Sequence, residues 1–254
     1  MEILQELSFT WFVILIITAF IAGYIDAIAG GGGMIQAPML LLSGLNPIIV
    51  LATNKLSSMA GTITATYKYA KHKKIVWGIG LVALIPCIVA SYLGSSLIMY
   101  ISDEIINWLI ILSIPVAMIM LLKKRKDTNT KLSITTKKIL LSTAPVGFYD
   151  GLLGPGTGTY FAISMNRYLG IDFLRATATA KVLNLGTNFG ATVAFMFAGK
   201  LYLALAVPMM MANVVGGYIG SHFAIKGGEE FIKKFIVVML VFMLFANIIK
   251  LLIT

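Results

Sequence analysis

The chain has 254 residues, of which 59% are apolar before glycine is counted and 12% are charged. Soluble domains reach about 45–50% apolar with glycine included and about 25% charged, so this chain cannot cover a water-facing surface and reads as an integral membrane protein. In a soluble chain the net charge of +10 would suggest nucleic acid. Here loop lysines that set orientation are the better account, and no nucleic-acid partner is expected.

A bilayer core takes about 20 apolar residues per helix. In chain order, long apolar runs occupy 9–29, 48–66, 75–100 and 105–122, and then 139–153, 173–197, 201–225 and 231–253. Two shorter pieces, 34–42 and 159–167, each follow a glycine cluster, GGGG at 30–33 and GPGTG at 154–158. The longest polar stretch, 123–138, lies between the halves. The opening MEILQE is acidic and lacks the basic stretch of a signal peptide, so the first helix is expected to stay in the mature protein. Cys87 is the one cysteine, which excludes an internal disulfide, a CxxC redox pair and a thiolate-cluster metal site.

The halves repeat. GYIDAIAGGGG (23–33) matches GFYDGLLGPGT (147–157) at an offset of 124. LATNKLSSMAG (51–61) matches TATAKVLNLGT (177–187) at 126, and Tyr92-Leu93-Gly94-Ser95 matches Tyr218-Ile219-Gly220-Ser221 at the same 126. Asp26 thereby pairs with Asp150, and Lys55 with Lys181. Residues 1–122 form the first repeat, 123–138 a cytoplasmic basic linker and 139–254 the second repeat.

Charge orients the repeats. Placing 123–138 in the cytoplasm puts 68–74, 168–175 and 226–234 there too, with 44–47, 102–104 and 198–200 outside. Sixteen of the 20 Lys and Arg residues then lie inside, Lys200 and Lys250 outside, and Lys55 and Lys181 within the membrane. Both termini are outside. Residues 9–43 and 139–168 must each enter and leave on one side, so each is a hairpin bent at its glycines. The expected fold is an all-α polytopic bundle of two inverted repeats, each a Gly-broken hairpin plus three spans, as in many secondary transporters. The aromatics Trp11, Trp108, Tyr100 and Tyr202 fall near the outer boundary, and Trp77, Tyr67, Tyr69 and Tyr168 near the inner one.

The glycine clusters carry the first chemical argument. Four glycines in a row make poor helix, at roughly 1 kcal/mol each relative to alanine. Bare backbone at membrane depth is tolerated only inside protein or along a wet cavity. The helices that follow would aim free N–H groups and positive dipole ends at an anion. Gly30, Gly31, Gly32, Gly33, Gly154, Gly156, Thr157 and Gly158 are therefore candidate substrate-binding residues. The plainer account is close helix packing by small residues, which is the reading preferred for Gly186-xxx-Gly190 and Gly216-xxx-Gly220. Lys55 lies about eight residues into its span, roughly 12 Å at 1.5 Å per residue, and Lys181 equally deep from the other face. An ammonium at the bilayer centre costs about 2.5–3.5 kcal/mol, so two at matched positions mark an anion site with Asn54 beside Lys55. The alternative is that each lysine is neutralised by Asp26 or Asp150. Those two carboxylates either titrate during transport, with a proton or sodium ion as coupling partner, or pair with lysine and cap free N–H groups. Thr53, Thr159, Thr179, Asn184 and Asn188 lie close by as cavity lining or interhelical glue. His72 and His222 have no partner at metal-ligand spacing, no metal or cofactor is expected, and no catalytic constellation suggests an enzyme.

Two stretches carry a resemblance. GYIDAIAGGGGMIQAPMLLLSGLNPIIVLATNKLSSMAGTITATYKYAKHKKIVW and GFYDGLLGPGTGTYFAISMNRYLGIDFLRATATAKVLNLGTN are similar to the two repeats of the TauE/SafE sulfite-exporter family, also called the 4-toluene sulfonate uptake permeases. The resemblance covers essentially the whole chain. It implies an inner-membrane carrier of seven to nine spans, acting on sulfite, sulfonates or related organic acids, with substrate and direction varying among members. Pro155 stands where the first copy has Gly31 and lacks an N–H, so the half-sites are not equivalent. The rival readings are a passive anion channel, a carrier of a non-sulfur organic acid, and a membrane enzyme or receptor.

Overall fold

A computed structural model describes residues 8–102, residue 105 and residues 134–253, with side chains as far as Met239 and at Val241. Residues 106–122 of the span expected at 105–122, Trp108 among them, and the linker as far as residue 133 lie outside the described residues. Every element among them is helical: α1 Phe9–Ala29, α2 Gly33–Leu42, α3 Pro47–Lys71, α4 Trp77–Ile98, α5 Thr136–Leu152, α6 Thr157–Ser164 with a π turn Met165–Leu169, α7 Phe173–Phe197 and α8 Leu203–Ile253. Side-chain caps set several starts. The Ser8 hydroxyl accepts from Trp11 N–H, Asn46 Oδ1 from Ile48 N–H, and Asp172 Oδ1 from Arg175 N–H, each satisfying a donor that a helix N-terminus leaves free. The runs 201–225 and 231–253, together labelled α8, are two helices that meet at Gly228, whose φ of 70° and ψ of −163° are not helical.

The bundle is apolar outside and buries many polar side chains among its apolar core. On α4 the exposed Leu81, Ile85, Val89, Leu93 and Leu97 recur every fourth residue and form one outward stripe. Ile17 and Ile21 on α1, and Val207, Met211 and Val215 on α8, do the same. A water-soluble chain does not display such bands. Among the described residues α1, α4 and the segment Leu203–Met239 are both long and apolar enough to cross a membrane. Helices α3 and α7, with 25 residues each, are long enough but carry Asn, Lys, Ser and Thr. They pack on each other at the centre, and most of α7 is buried.

Packing exchanges the halves. Helix α4 lies along α5 and α7, while its counterpart α8 lies along α1 and α3. Small residues make the approach close. A Cβ on Gly216 or Gly220 would collide with the Phe20 or Tyr24 carbonyl, and one on Gly94 with the Phe148 carbonyl. Ser91 Oγ donates to the Thr187 carbonyl at 2.7 Å and Ser95 Oγ to the Gly151 carbonyl at 2.8 Å.

The aromatic residues divide. Tyr67, Trp77, Tyr100 and Tyr168 are exposed, as boundary residues are. Tyr69 is fully buried, with its hydroxyl donating to the Ala27 carbonyl at 2.8 Å. The structure therefore corrects its assignment to the inner aromatic belt: the C-terminus of α1 has carbonyls to satisfy, and Tyr69 reaches one of them.

Candidate functional site

The site forms where α1 and α5 stop. Gly30 ends α1 in the left-handed region, φ 79°, with its N–H donating to the Asp26 carbonyl at 2.7 Å. The last turn of a helix leaves carbonyls without a backbone partner, and here other helices reach in to that turn, including the Asp26 carbonyl that Gly30 already bonds. Lys181 Nζ of α7 donates to the Asp26 carbonyl, Tyr69 of α3 to Ala27, and Thr159 Oγ1 of α6 to Ala29 at 2.6 Å. Lys181 also reaches Asp26 Oδ2 at 2.8 Å. A cation at a helix C-terminus meets the negative end of the helix dipole.

The second break runs through Gly154 and Gly156, at φ 83° and 82°. Thr157 Oγ1 is close to two acceptors, the Gly154 carbonyl at 2.6 Å and Asp150 Oδ1 at 2.7 Å. Lys55 Nζ of α3 pairs with the same Asp150 Oδ1. A Cβ on Gly154 would sit 2.9 Å from Lys55 Nζ, so the bare backbone there makes room for the ammonium. Both ion pairs cross between repeats: the first repeat's lysine holds the second repeat's aspartate, and the reverse.

The two breaks touch. A Cβ on Gly30 would overlap the Gly158 backbone. Between them lies a small polar cavity. Asp26, Gly30, Gly33, Asn54, Lys55, Asp150, Gly154, Thr157 and Gly158 line it, together with Ser58, Asn184 and Asn188. Lys181 is 0% exposed and stands behind Asp26, outside the lining. Gly31 packs among Met34, Met239 and Ile25, and Gly32 against the Ala22 carbonyl and Asp26 Cβ. Gly156 is the left-handed residue before α6. These four lie beside the cavity without lining it. Ser58 is the lining residue that the sequence reading omits, although the offset of 126 aligns it with Asn184.

The lining is polar and charge-balanced. With Lys181 behind them, the two lysines and two aspartates cancel. Asn54 Oδ1 and Asn184 Oδ1 are buried and have no hydrogen-bond partner. An unsatisfied buried polar atom costs about 1–3 kcal/mol, a cost that a polar guest in this cavity removes. An amide offers two donors as well as an acceptor, so turning either side chain presents N–H groups instead.

The comparisons with known proteins agree with this architecture. A family model described as sulfite exporter TauE/SafE matches residues 15–246. A Sinorhizobium sp. protein described as probable membrane transporter protein ORF9 is 34% identical over 238 residues, covering 92% of this chain and 91% of its own. The probable membrane transporter protein YfcA of Escherichia coli K12 is 31% identical, covering 89% and 85%. A probable membrane transporter protein of Haemophilus influenzae is 32% identical, covering 89% and 90%. No solved structure matches the chain.

Proposed function

The chain belongs to the sulfite exporter TauE/SafE family of membrane transporters, and from that premise we propose that it is a secondary carrier of a small anion, sulfite, a sulfonate or a related organic acid. The observation that carries the reading is the cavity at the junction of the two helix breaks, where Lys55 and the polar amides of Asn54 and Asn184 converge. The helix starts at Gly33 and Thr157 border the same cavity and add the positive ends of their dipoles. Lys55 supplies the charge, the amides supply directed hydrogen bonds, and the bare backbone of Gly154 leaves room for the ammonium.

Transport on this reading is alternating access. The two repeats are inverted about an axis in the membrane plane, and the bundle rocks around the shared cavity to open it to either side. The exchanged packing of α4 and α8 supports that plan, because each repeat braces the other's broken hairpin. The carrier is multi-pass in the inner membrane, with 68–74 and 123–138 on the cytoplasmic side and both termini outside. A proton or sodium ion drives it.

The test is a thermal-shift screen of purified protein with sulfite, thiosulfate, sulfoacetate, isethionate, methanesulfonate, taurine and simple carboxylates. Stabilisation by one or more sulfur anions, saturating with concentration, is the expected result. Stabilisation by carboxylates alone moves the substrate class away from sulfur. A response to none of them contradicts the anion reading.

A further inference from the structure

The two lysine–aspartate pairs are related by sequence but not built alike. Lys181 is wholly enclosed and makes two bonds to one residue, the Asp26 carbonyl and the Asp26 carboxylate. Lys181 is therefore held by two acceptors on α1, and leaving would cost both bonds. Lys55 faces the cavity and is bonded to a carboxylate oxygen alone. Its partner Asp150 also faces the cavity and keeps a second donor on the same oxygen, the Thr157 hydroxyl at 2.7 Å. The pair at Lys55 is the one that a guest can open.

We propose that the anion replaces the Asp150 carboxylate on Lys55, and that Asp150 takes up one proton as it is released. This rests on the anion-carrier reading. The argument is charge balance in a buried site. Without guest, the four groups sum to zero. A monoanion bound with no other change adds one negative charge at a place where uncompensated charge costs several kcal/mol. Taken together, the events are one anion and one proton entering, the Lys55–Asp150 ion pair opening, a Lys55–anion pair forming and an O–H bond forming on Asp150. The released acid keeps a polar neighbour in the Thr157 hydroxyl. Protons and substrate would therefore move in the same direction, one for one.

Other charged or titratable groups around Asp150 are accounted for. Asp26 of α1 also lines the cavity and keeps Lys181 of α7 as its partner. Cys87 of α4 is buried and packs on Gly147 of Asp150's own helix. Tyr160 of α6 packs edge-on against Tyr149 of Asp150's own helix, 5.1 Å between ring centres. Of these groups only Asp150 loses its counter-charge when a guest takes Lys55, which singles it out as the proton acceptor.

The test is titration calorimetry of the full chain in detergent with methanesulfonate and isethionate, strong-acid monoanions that bind no proton themselves at neutral pH. Repeating each titration in buffers of different ionisation enthalpy counts the protons taken up. One proton per anion is expected, with Kd rising about tenfold per pH unit as the pH is raised. Asp150→Asn should still bind, with no proton uptake and no pH dependence, because Lys55 is then left without its native counter-ion. Glu230→Gln, at an exposed carboxylate outside the cavity, should keep the proton count. The neutral double variant Lys55→Met with Asp150→Asn strands no charge and should stay folded without binding. Binding with no proton uptake in the wild type overturns this proposal and leaves the anion reading standing. So does proton uptake that survives in Asp150→Asn. If neither sulfonate nor any other anion of the screen binds, the anion reading fails and this proposal with it.

Discussion

Replacing Lys181 by methionine keeps most of the side-chain volume and removes the ammonium from a position that is 0% exposed. What remains is the Asp26 carboxylate, formerly held at 2.8 Å. Removing one partner of a buried ion pair costs about 3–5 kcal/mol, mainly because the other charge is stranded. The Asp26 side chain keeps 17% exposure at the cavity wall, so solvent relieves part of that charge and the low end, about 3 kcal/mol, applies. For a chain of this size, 1 kcal/mol shifts the melting temperature by about 2–4 °C, which gives a fall of about 6–12 °C. The assay is fluorescence-detected thermal unfolding in detergent, run beside Lys181→Met with Asp26→Asn. The double variant carries no stranded charge and should recover at least half of the loss. Lys234→Met is the comparison, since its Glu230 pair is 75% and 81% exposed, and exposed pairs contribute about 0–1 kcal/mol. A Lys181→Met protein melting within about 2 °C of wild type, or a double variant less stable than the single, would refute the structural assignment of this lysine.

Gly30→Ala should abolish folded yield, because the added Cβ meets the Gly158 backbone. Gly44→Ala, also at positive φ but with open space around it, should cost only the left-handed strain of about 1–2 kcal/mol, read as a melting shift. Tyr69→Phe leaves the Ala27 carbonyl unpaired and should cost about 1–3 kcal/mol, while Tyr67→Phe, on the exposed face, should melt like wild type. In a Cys87→Ser background, Lys71→Cys should react with an impermeant thiol reagent only from the cytoplasmic side and Lys200→Cys only from outside. The reverse labelling would overturn the proposed orientation.

The elements were legible where a single physical cost acts locally. The bounds expected for α7, 173–197, match the observed helix because Asp172 caps its start and Gly199 follows its end. Deep lysines stand out in a sequence because burial of an ammonium is expensive anywhere. Their partners were not legible. That Lys55 holds Asp150 and Lys181 holds Asp26 depends on how α3 and α7 cross the two breaks, which no local pattern encodes. Within GGGG the residues are chemically identical, so the sequence does not reveal that Gly30 turns left-handed, Gly33 faces the cavity, and Gly31 and Gly32 serve packing. Tyr69 looked like a boundary residue because it sits beside Tyr67 and a lysine-rich loop. Its true neighbour, the end of α1, is 42 residues away in the chain. The GG pair beside two glutamates marks the break between the runs 201–225 and 231–253, and Gly228 is where the two helices meet.

The most direct test of the central claim is counterflow in proteoliposomes. Vesicles holding purified protein and loaded with unlabelled methanesulfonate or isethionate would be diluted into a trace of the same anion carrying a radioactive label. A carrier that alternates around one cavity should draw the label to a transient internal excess above its external concentration, and the Lys55→Met with Asp150→Asn variant should not. Label that only equilibrates, at a rate linear in concentration and the same in that variant, would contradict a carrier built on this cavity.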